Sequence, residues 1–214
     1  MQTVQKILLH PAAKLVVFAI ALVPFGHLVA AIFTHGLGPN PAEALIRSLG
    51  DWTLRFLCLT LAVTPLRQWT HWHALARLRR MLGLFTFFHA ALHVLAYTWF
   101  DMGFEWGDIW RDIGKRSFIL VGALALGLMV PMAATSFNAA IRALGARRWQ
   151  GLHRAVYAVA VLAILHFLWM RDAKHNVADV WVYAGVLAVL LGWRLWHRLA
   201  PRYFMKLGSQ SDSG

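Results

Sequence analysis

The chain is short of cysteine and of charge. Cys58 is its only cysteine, there are nine acidic residues, and charged residues make up 14% of 214 positions. One thiol closes no internal disulfide, supplies no cysteine-held iron–sulfur cluster and offers no C-x-x-C-H attachment for a c-type haem. Cys58 sits inside an apolar block and reads as a small buried hydrophobe. No strand–G-x-G-x-x-G–helix unit is present, so the chain carries no recognisable nicotinamide-binding domain, and any electrons it handles arrive from another molecule. No internal repeat or second domain is visible. The first apolar stretch ends without a small-residue cleavage pattern and reads as a membrane helix, not a removable signal.

What the chain has in quantity is apolar surface. Hydrophobic residues reach 59%, with a mean hydropathy of +0.56, and they come in blocks and not in amphipathic periods. Six blocks approach the ~20 residues that cross a bilayer at about 1.5 Å rise: Leu15–Phe33, Trp52–Trp69, Met81–Phe100, Ser117–Ser136, Gly151–Met170 and Ala178–Trp196. The second is the most polar, with Arg55 near its start and Pro65 near its end. The eleven tryptophans fall in connections or near these ends, as an interfacial aromatic belt requires. The expected fold is an all-α polytopic membrane bundle of six transmembrane helices. Residues 1–14 and 197–214 are its flanking tails, with Gly208 to Gly214 disordered.

The net charge of +12 would point to nucleic acid in a soluble chain, but here it is confined to connections and helix ends. One side carries Lys6, Lys14, Arg67, Arg77, Arg79, Arg80, Arg142, Arg147, Arg148, Arg154, Arg194, Arg198, Arg202 and Lys206. The other carries only Arg47, Arg55, Arg111, Lys115, Arg116, Arg171 and Lys174. The excess of basic residues marks the cytoplasmic side, which places both termini there, makes membrane lipid the expected surroundings and leaves no role for nucleic acid.

Five histidines, His27, His89, His93, His153 and His166, lie in or at the ends of these blocks, where an unbound imidazole is costly. His93 is about 18 Å and His166 about 22 Å along spans that both enter from the cytoplasm. Imidazoles at one level on parallel helices point to a bis-histidine site for non-covalent haem b near the outer face. His89, one turn before His93, is an alternative ligand or a hydrogen-bond partner in that pocket. His153 lies about 20 Å nearer the cytoplasm than His166 and roughly 140° around an ideal helix from it. It therefore needs a bend to share one core with His166. It would ligate a second haem with an unusual partner, or hydrogen-bond a quinone, a flavin or a propionate. Arg79 and Arg80 are topology determinants or clamps for phosphate or propionate oxygens; Arg55 pairs with an outer propionate or snorkels. His27 is background, whereas His71 and His73 in a basic loop and His10, His35, His175 and His197 at or outside the interfaces read as solvated. Two other classes compete: a proton-coupled transporter, which expects acidic partners deep in the spans, and a structural anchor for another protein.

Three runs resemble a known family: Arg79-Arg80-Met81-Leu82-Gly83-Leu84, Ala91-Leu92-His93-Val94-Leu95-Ala96-Tyr97, and Gly151-Leu152-His153-Arg154-Ala155-Val156-Tyr157 through Leu165-His166-Phe167-Leu168-Trp169. Together with Val63-Thr64-Pro65-Leu66 they are similar to the MsrQ (YedZ) family, haem-binding membrane subunits of bacterial methionine-sulfoxide reductase systems within the wider ferric reductase-like transmembrane proteins. The resemblance implies metal ligation by His93, His166 and His153, with Arg79 standing where the wider relatives have a second histidine. It implies an electron-transfer subunit of an oxidoreductase system in the bacterial inner membrane, and not the substrate-converting subunit. Electrons would pass from a cytoplasmic flavin reductase or the quinone pool, through FMN or quinone and haem b, to a periplasmic molybdenum-containing reductase that repairs methionine sulfoxide in oxidised proteins.

Overall fold

Local chemistry sets where the helices begin and end. Among the residues described by the computed structural model, 2–172 and 177–211, the chain forms α1 (Gln2–Leu9), α2 (Pro11–Phe33), α3 (Pro41–Thr70), α4 (Ala76–Ala96), α5 (Trp106–Lys115), α6 (Ser117–Ala134), α7 (Asn138–His153), α8 (Val156–Asp172) and α9 (Ala178–Ser211), without strands. His10 caps α2 by accepting the Ala12 amide at 3.2 Å, ahead of Pro11. Asn40 caps α3 by accepting the Glu43 amide at 3.3 Å, while its own amide reaches the Glu43 carboxylate at 3.0 Å. His71, in the left-handed conformation, ends α3.

Each predicted span corresponds to a long helix, and the differences matter for the site. α3 starts at Pro41, eleven residues before the predicted Trp52, so the polar stretch holding Arg47 and Asp51 is helical. Among the described residues five helical stretches are long and apolar enough to cross a membrane; α3 is longer than most but too polar to be one of them. The predicted Gly151–Met170 span is broken by a turn at Arg154 and Ala155, between α7 and α8. α7 itself bends at Gly145, whose φ of 74° favours a residue without Cβ. α9 continues to Ser211, so residues 208–211 of the predicted disordered tail are helical, while 212–214 lie outside the described residues, as do Lys174 and His175.

Two helix pairs, α3 with α4 and α6 with α8, form the closest contacts, and α9 closes against α3 and α8. Leu54, Leu57 and Leu61 of α3, Ala90 of α4, Met129 of α6, Val159, Ala160 and Phe167 of α8, and Val180 and Leu187 of α9 make one continuous core. A second cluster of Ala21, Phe56, Met81 and Phe85 attaches α2. Leu15, Ile20 and Val23 of α2 and Val182 and Val189 of α9 stay more than 60% exposed on the outside of the bundle. Large aliphatic side chains turned outward all round a bundle suit hydrocarbon, not water, and the chain is a multi-pass membrane protein.

Proline also leaves a mark on this packing. Pro65 has no N–H to give the Leu61 carbonyl one turn earlier in α3. Arg194 of α9 supplies the missing donor, its Nη2 lying 2.5 Å from that carbonyl, with the guanidinium over the Tyr157 ring.

Candidate functional site

The centre of the bundle holds two neighbouring imidazoles whose ring planes are nearly perpendicular. The ring centres of His93 on α4 and His166 on α8 are 6.1 Å apart, with ring planes 85° to one another. His93 Nδ1 is 2.8 Å from the Ile46 carbonyl of α3, and His166 Nδ1 is 2.6 Å from the Phe118 carbonyl of α6. A carbonyl only accepts, so each Nδ1 carries the proton and each Nε2 presents a lone pair. Among the described residues neither Nε2 has a hydrogen-bond partner. Gly50 and Gly122 lie against the two rings.

This arrangement suits one kind of guest. Metal–imidazole bonds are about 2.0–2.1 Å, so two of them end to end set ring centres roughly 6 Å apart. Among the described residues no group of three or more histidine, cysteine or carboxylate side chains is placed to hold a bare metal ion. Two protein ligands are too few for such an ion, yet they complete an iron whose other four positions are filled by a porphyrin. The residues present therefore fit a bis-histidine haem.

A second feature lies toward the other end of the bundle. A cavity of about 660 Å³ opens between α3, α4, α6, α7, α8 and α9. Arg79, Arg80, Arg154 and Arg194 line it together with His153, and its described lining contains no carboxylate. Arg80 Nη1 is held by the Asn138 side chain at 2.7 Å. His153 Nδ1 bonds the Trp149 carbonyl at 3.0 Å, its ring stacks on Trp149 at 3.9 Å, and its Nε2 lies 3.4 Å from Ser136 Oγ. His153 ends α7, and a turn at Arg154 and Ala155 separates it from α8, which carries His166. His197, read as solvated from the sequence, lines the same cavity beside Trp193.

His89 is not brought to the pair. It is fully buried, bonds the Phe85 carbonyl of its own helix at 2.9 Å, and sits among Phe56, Phe85 and Phe88 with Nε2 unpaired. The ~40° that four residues leave on a helix turn it into the contact with α2 and α3. Arg55 is also committed elsewhere, donating to Tyr183 Oη at 3.1 Å and lying over Trp52. His27 is exposed on α2.

Above the outer end, Asp112 of α5 accepts from Tyr97 Oη at 2.5 Å and takes Arg116 on both carboxylate oxygens. Burial alone would raise the Asp112 pKa, but the hydrogen bonds from Arg116 and Tyr97 outweigh it and hold the carboxyl below its usual value. An open hollow of about 340 Å³ lined by Arg116, Ser117, Phe118 and Trp169 lies beside the carbonyl that holds His166.

The sequence reading missed the accepting carbonyls of Ile46 and Phe118 and the two glycines. Their only trace in the sequence is an interior helix glycine four residues after each acceptor, a position costing about 1 kcal/mol relative to alanine.

Comparison with known proteins gives this geometry a family. The family described as "Ferric reductase like transmembrane component" matches residues 49–164. A relative from Polaromonas naphthalenivorans, named "Protein-methionine-sulfoxide reductase heme-binding subunit MsrQ", is 60% identical over 92% of this chain and 90% of its own length. The chain belongs to the MsrQ family. MsrQ proteins of Ralstonia nicotianae and Rhodospirillum rubrum are 52% and 45% identical, over 86% and 85% of this chain and 85% and 86% of their own lengths. No solved structure matches.

Proposed function

We propose that the chain is an electron-carrying haem subunit, with His93 and His166 as the axial ligands of one haem b. The observation that carries this reading is the 6.1 Å separation of two half-buried imidazoles whose Nδ1 protons are both committed to carbonyls. Haem iron supplies reversible one-electron chemistry when bound. The protein's part is to fix both rings, hold Nδ1 protonated so that Nε2 is the ligand atom, and enclose the site in apolar side chains that keep water away.

The arginine-lined cavity is the second cofactor position of this reading. Arg79, Arg80 and Arg154 suit an anionic group, the phosphate of FMN or the propionates of a second haem, and His153 offers a ligand or a hydrogen bond to a flavin or quinone. Positive-inside charge puts this cavity on the cytoplasmic side of the bacterial inner membrane and the His93–His166 pair toward the periplasm. Electrons then enter from reduced flavin or quinol and leave past Phe118 and Trp169. The relatives are named as haem-binding subunits of a protein-methionine-sulfoxide reductase, which supports such a reductase as the acceptor; in this proposal it is a periplasmic, molybdenum-containing partner. A proton-relaying transporter would need carboxylates among these groups, and the described lining has none. A pure anchor would have no use for two imidazoles sharing one ligand space.

Reconstitution tests the assignment. With reduced flavin or quinol on the cytoplasmic side, the haem should reduce, and addition of the periplasmic reductase with oxidised protein substrate should reoxidise it. NADH or NADPH alone should leave it ferric. Haem that is never reoxidised by a partner active with an artificial donor would reject the methionine-sulfoxide role.

A further inference from the structure

The two imidazoles are held by the same device, built twice. In an α-helix the Cβ of each residue leans toward the N-terminus and lies over the preceding turn, so residue n+4 shields the carbonyl of residue n. Ile46 and Gly50 stand in that relation on α3, and Phe118 and Gly122 on α6. In both cases the residue that would shield the accepting carbonyl has no Cβ. A Cβ added at Gly122 would stand 2.8 Å from His166 Nδ1 and 3.0 Å from Cε1; one added at Gly50 would stand 3.3 Å from both Nδ1 and Cε1 of His93. Gly26, Gly127, Gly185 and Gly192, in other parts of the long helices, meet nothing within 4 Å, and Gly83 of α4 meets Thr60 only at an ordinary 3.7 Å, so among these glycines the tight fits are those at the two imidazoles.

We infer that Gly50 and Gly122 are positioning residues for the haem-ligand imidazoles, baring the Ile46 and Phe118 carbonyls so that the Nδ1–H bonds form and set ligand orientation and basicity. The inference rests on the haem reading above. A hydrogen bond at Nδ1 makes Nε2 a more basic ligand, which favours ferric over ferrous iron and lowers the potential. The two clamps are unequal. His166 is gripped between a 2.6 Å hydrogen bond and a glycine with no room for a methyl group, whereas His93 has a 2.8 Å bond and a few tenths of an ångström more space. α6 therefore pins its histidine more firmly than α3 does.

The test uses the full chain in membranes with Gly122→Ala, Gly50→Ala and, as a control on the same helix as Gly122, Gly127→Ala. Haem content, midpoint potential and the low-spin ferric EPR spectrum are read for each. Gly122→Ala should raise the potential and change the EPR g-values, because the ring is driven off the Phe118 carbonyl. Gly50→Ala should move both in the same sense by less, and Gly127→Ala should match wild type. If Gly122→Ala does not accumulate, Gly50→Ala decides: a raised potential supports the assignment and a wild-type potential overturns it. A wild-type potential and spectrum in Gly122→Ala, or an equal shift in Gly127→Ala, overturns it as well. His93→Ala and His166→Ala in the same series separate the two claims. Haem retained by both removes the premise and the inference with it; haem lost from them beside unmoved glycine variants rejects only the positioning role.

Discussion

An imidazole has two nitrogens, and the bond made by one decides what the other can offer. His89, His153 and His197 each turn Nδ1 back to the carbonyl four residues earlier in their own helix, at Phe85, Trp149 and Trp193. Among the described residues, only His93 and His166 bring Nδ1 to a carbonyl of a neighbouring helix. A bond within one helix leaves the ring free to follow that helix, whereas a bond between helices fixes the ring against the bundle, as an axial ligand requires. His153 thus belongs to the arginine-lined cavity and not to the His93–His166 pair. His153→Ala should keep the outer haem spectrum near wild type and slow haem reduction by a cytoplasmic-side donor in stopped-flow measurements; complete loss of haem from a well-folded variant would count against that division. The depth of His93 and His166 was readable from the sequence because span entry and rise per residue need only hydropathy and charge. Ile46 and Gly50 were not, because Arg47, Asp51 and Arg55 make the start of α3 look like a connection, and its helical state depends on the Asn40 cap and on packing against α4. The cage around His89 was equally hidden, since a ~40° offset on a helix says nothing about which neighbour fills it.

Two elements are tied to the bundle by polar contacts that can be broken singly. α9 is joined to α3 where Pro65 leaves the Leu61 carbonyl without its helical donor and Arg194 replaces it. Arg194→Ala should destabilise the protein by about 1–3 kcal/mol, the cost of stranding a buried acceptor. Pro65→Ala restores an N–H to that carbonyl, so a double-mutant cycle in thermal unfolding should show the second change relieving part of the first, with a coupling of about 1 kcal/mol; strictly additive losses would contradict the link. α5 is held over the outer end by Tyr97 and Arg116 on Asp112. Because the Asp112 pKa is depressed by folding, its contribution is present above the ordinary carboxylate range and is lost as pH falls through the lower folded value. Asp112→Asn should lower the melting temperature at pH 7 and leave the difference from wild type much smaller at strongly acidic pH; a difference that does not depend on pH would show that the carboxylate charge is not what matters.

At the scale of the molecule, the bundle is two helix hairpins in space, α3–α4 and α6–α8, each delivering one histidine to a shared centre, with α2 and α9 as outer walls. The arginine-lined cavity and the hollow at Phe118 and Trp169 fall toward opposite ends of the bundle, and the proposed orientation puts the excess of basic residues on the cytoplasmic side. A reporter active only in the periplasm should be silent when fused after Gly208 and active when inserted near Gly107; the reverse pattern would invert the proposed direction of electron flow. The long apolar helices and the apolar exterior were legible in composition, although five stretches and not the expected six are apolar enough to cross among the described residues; the turn at Arg154 and Ala155 was not, because a turn inside an apolar run leaves no change in hydropathy. Whether one haem b sits between the half-buried imidazoles of His93 and His166 is decided by the haem-to-protein ratio and the absorption spectrum of purified wild type, His93→Ala and His166→Ala. The account predicts a low-spin haem in wild type and loss or strong depletion of that haem in each single variant, and wild-type haem content with an unchanged low-spin spectrum in both variants would contradict it.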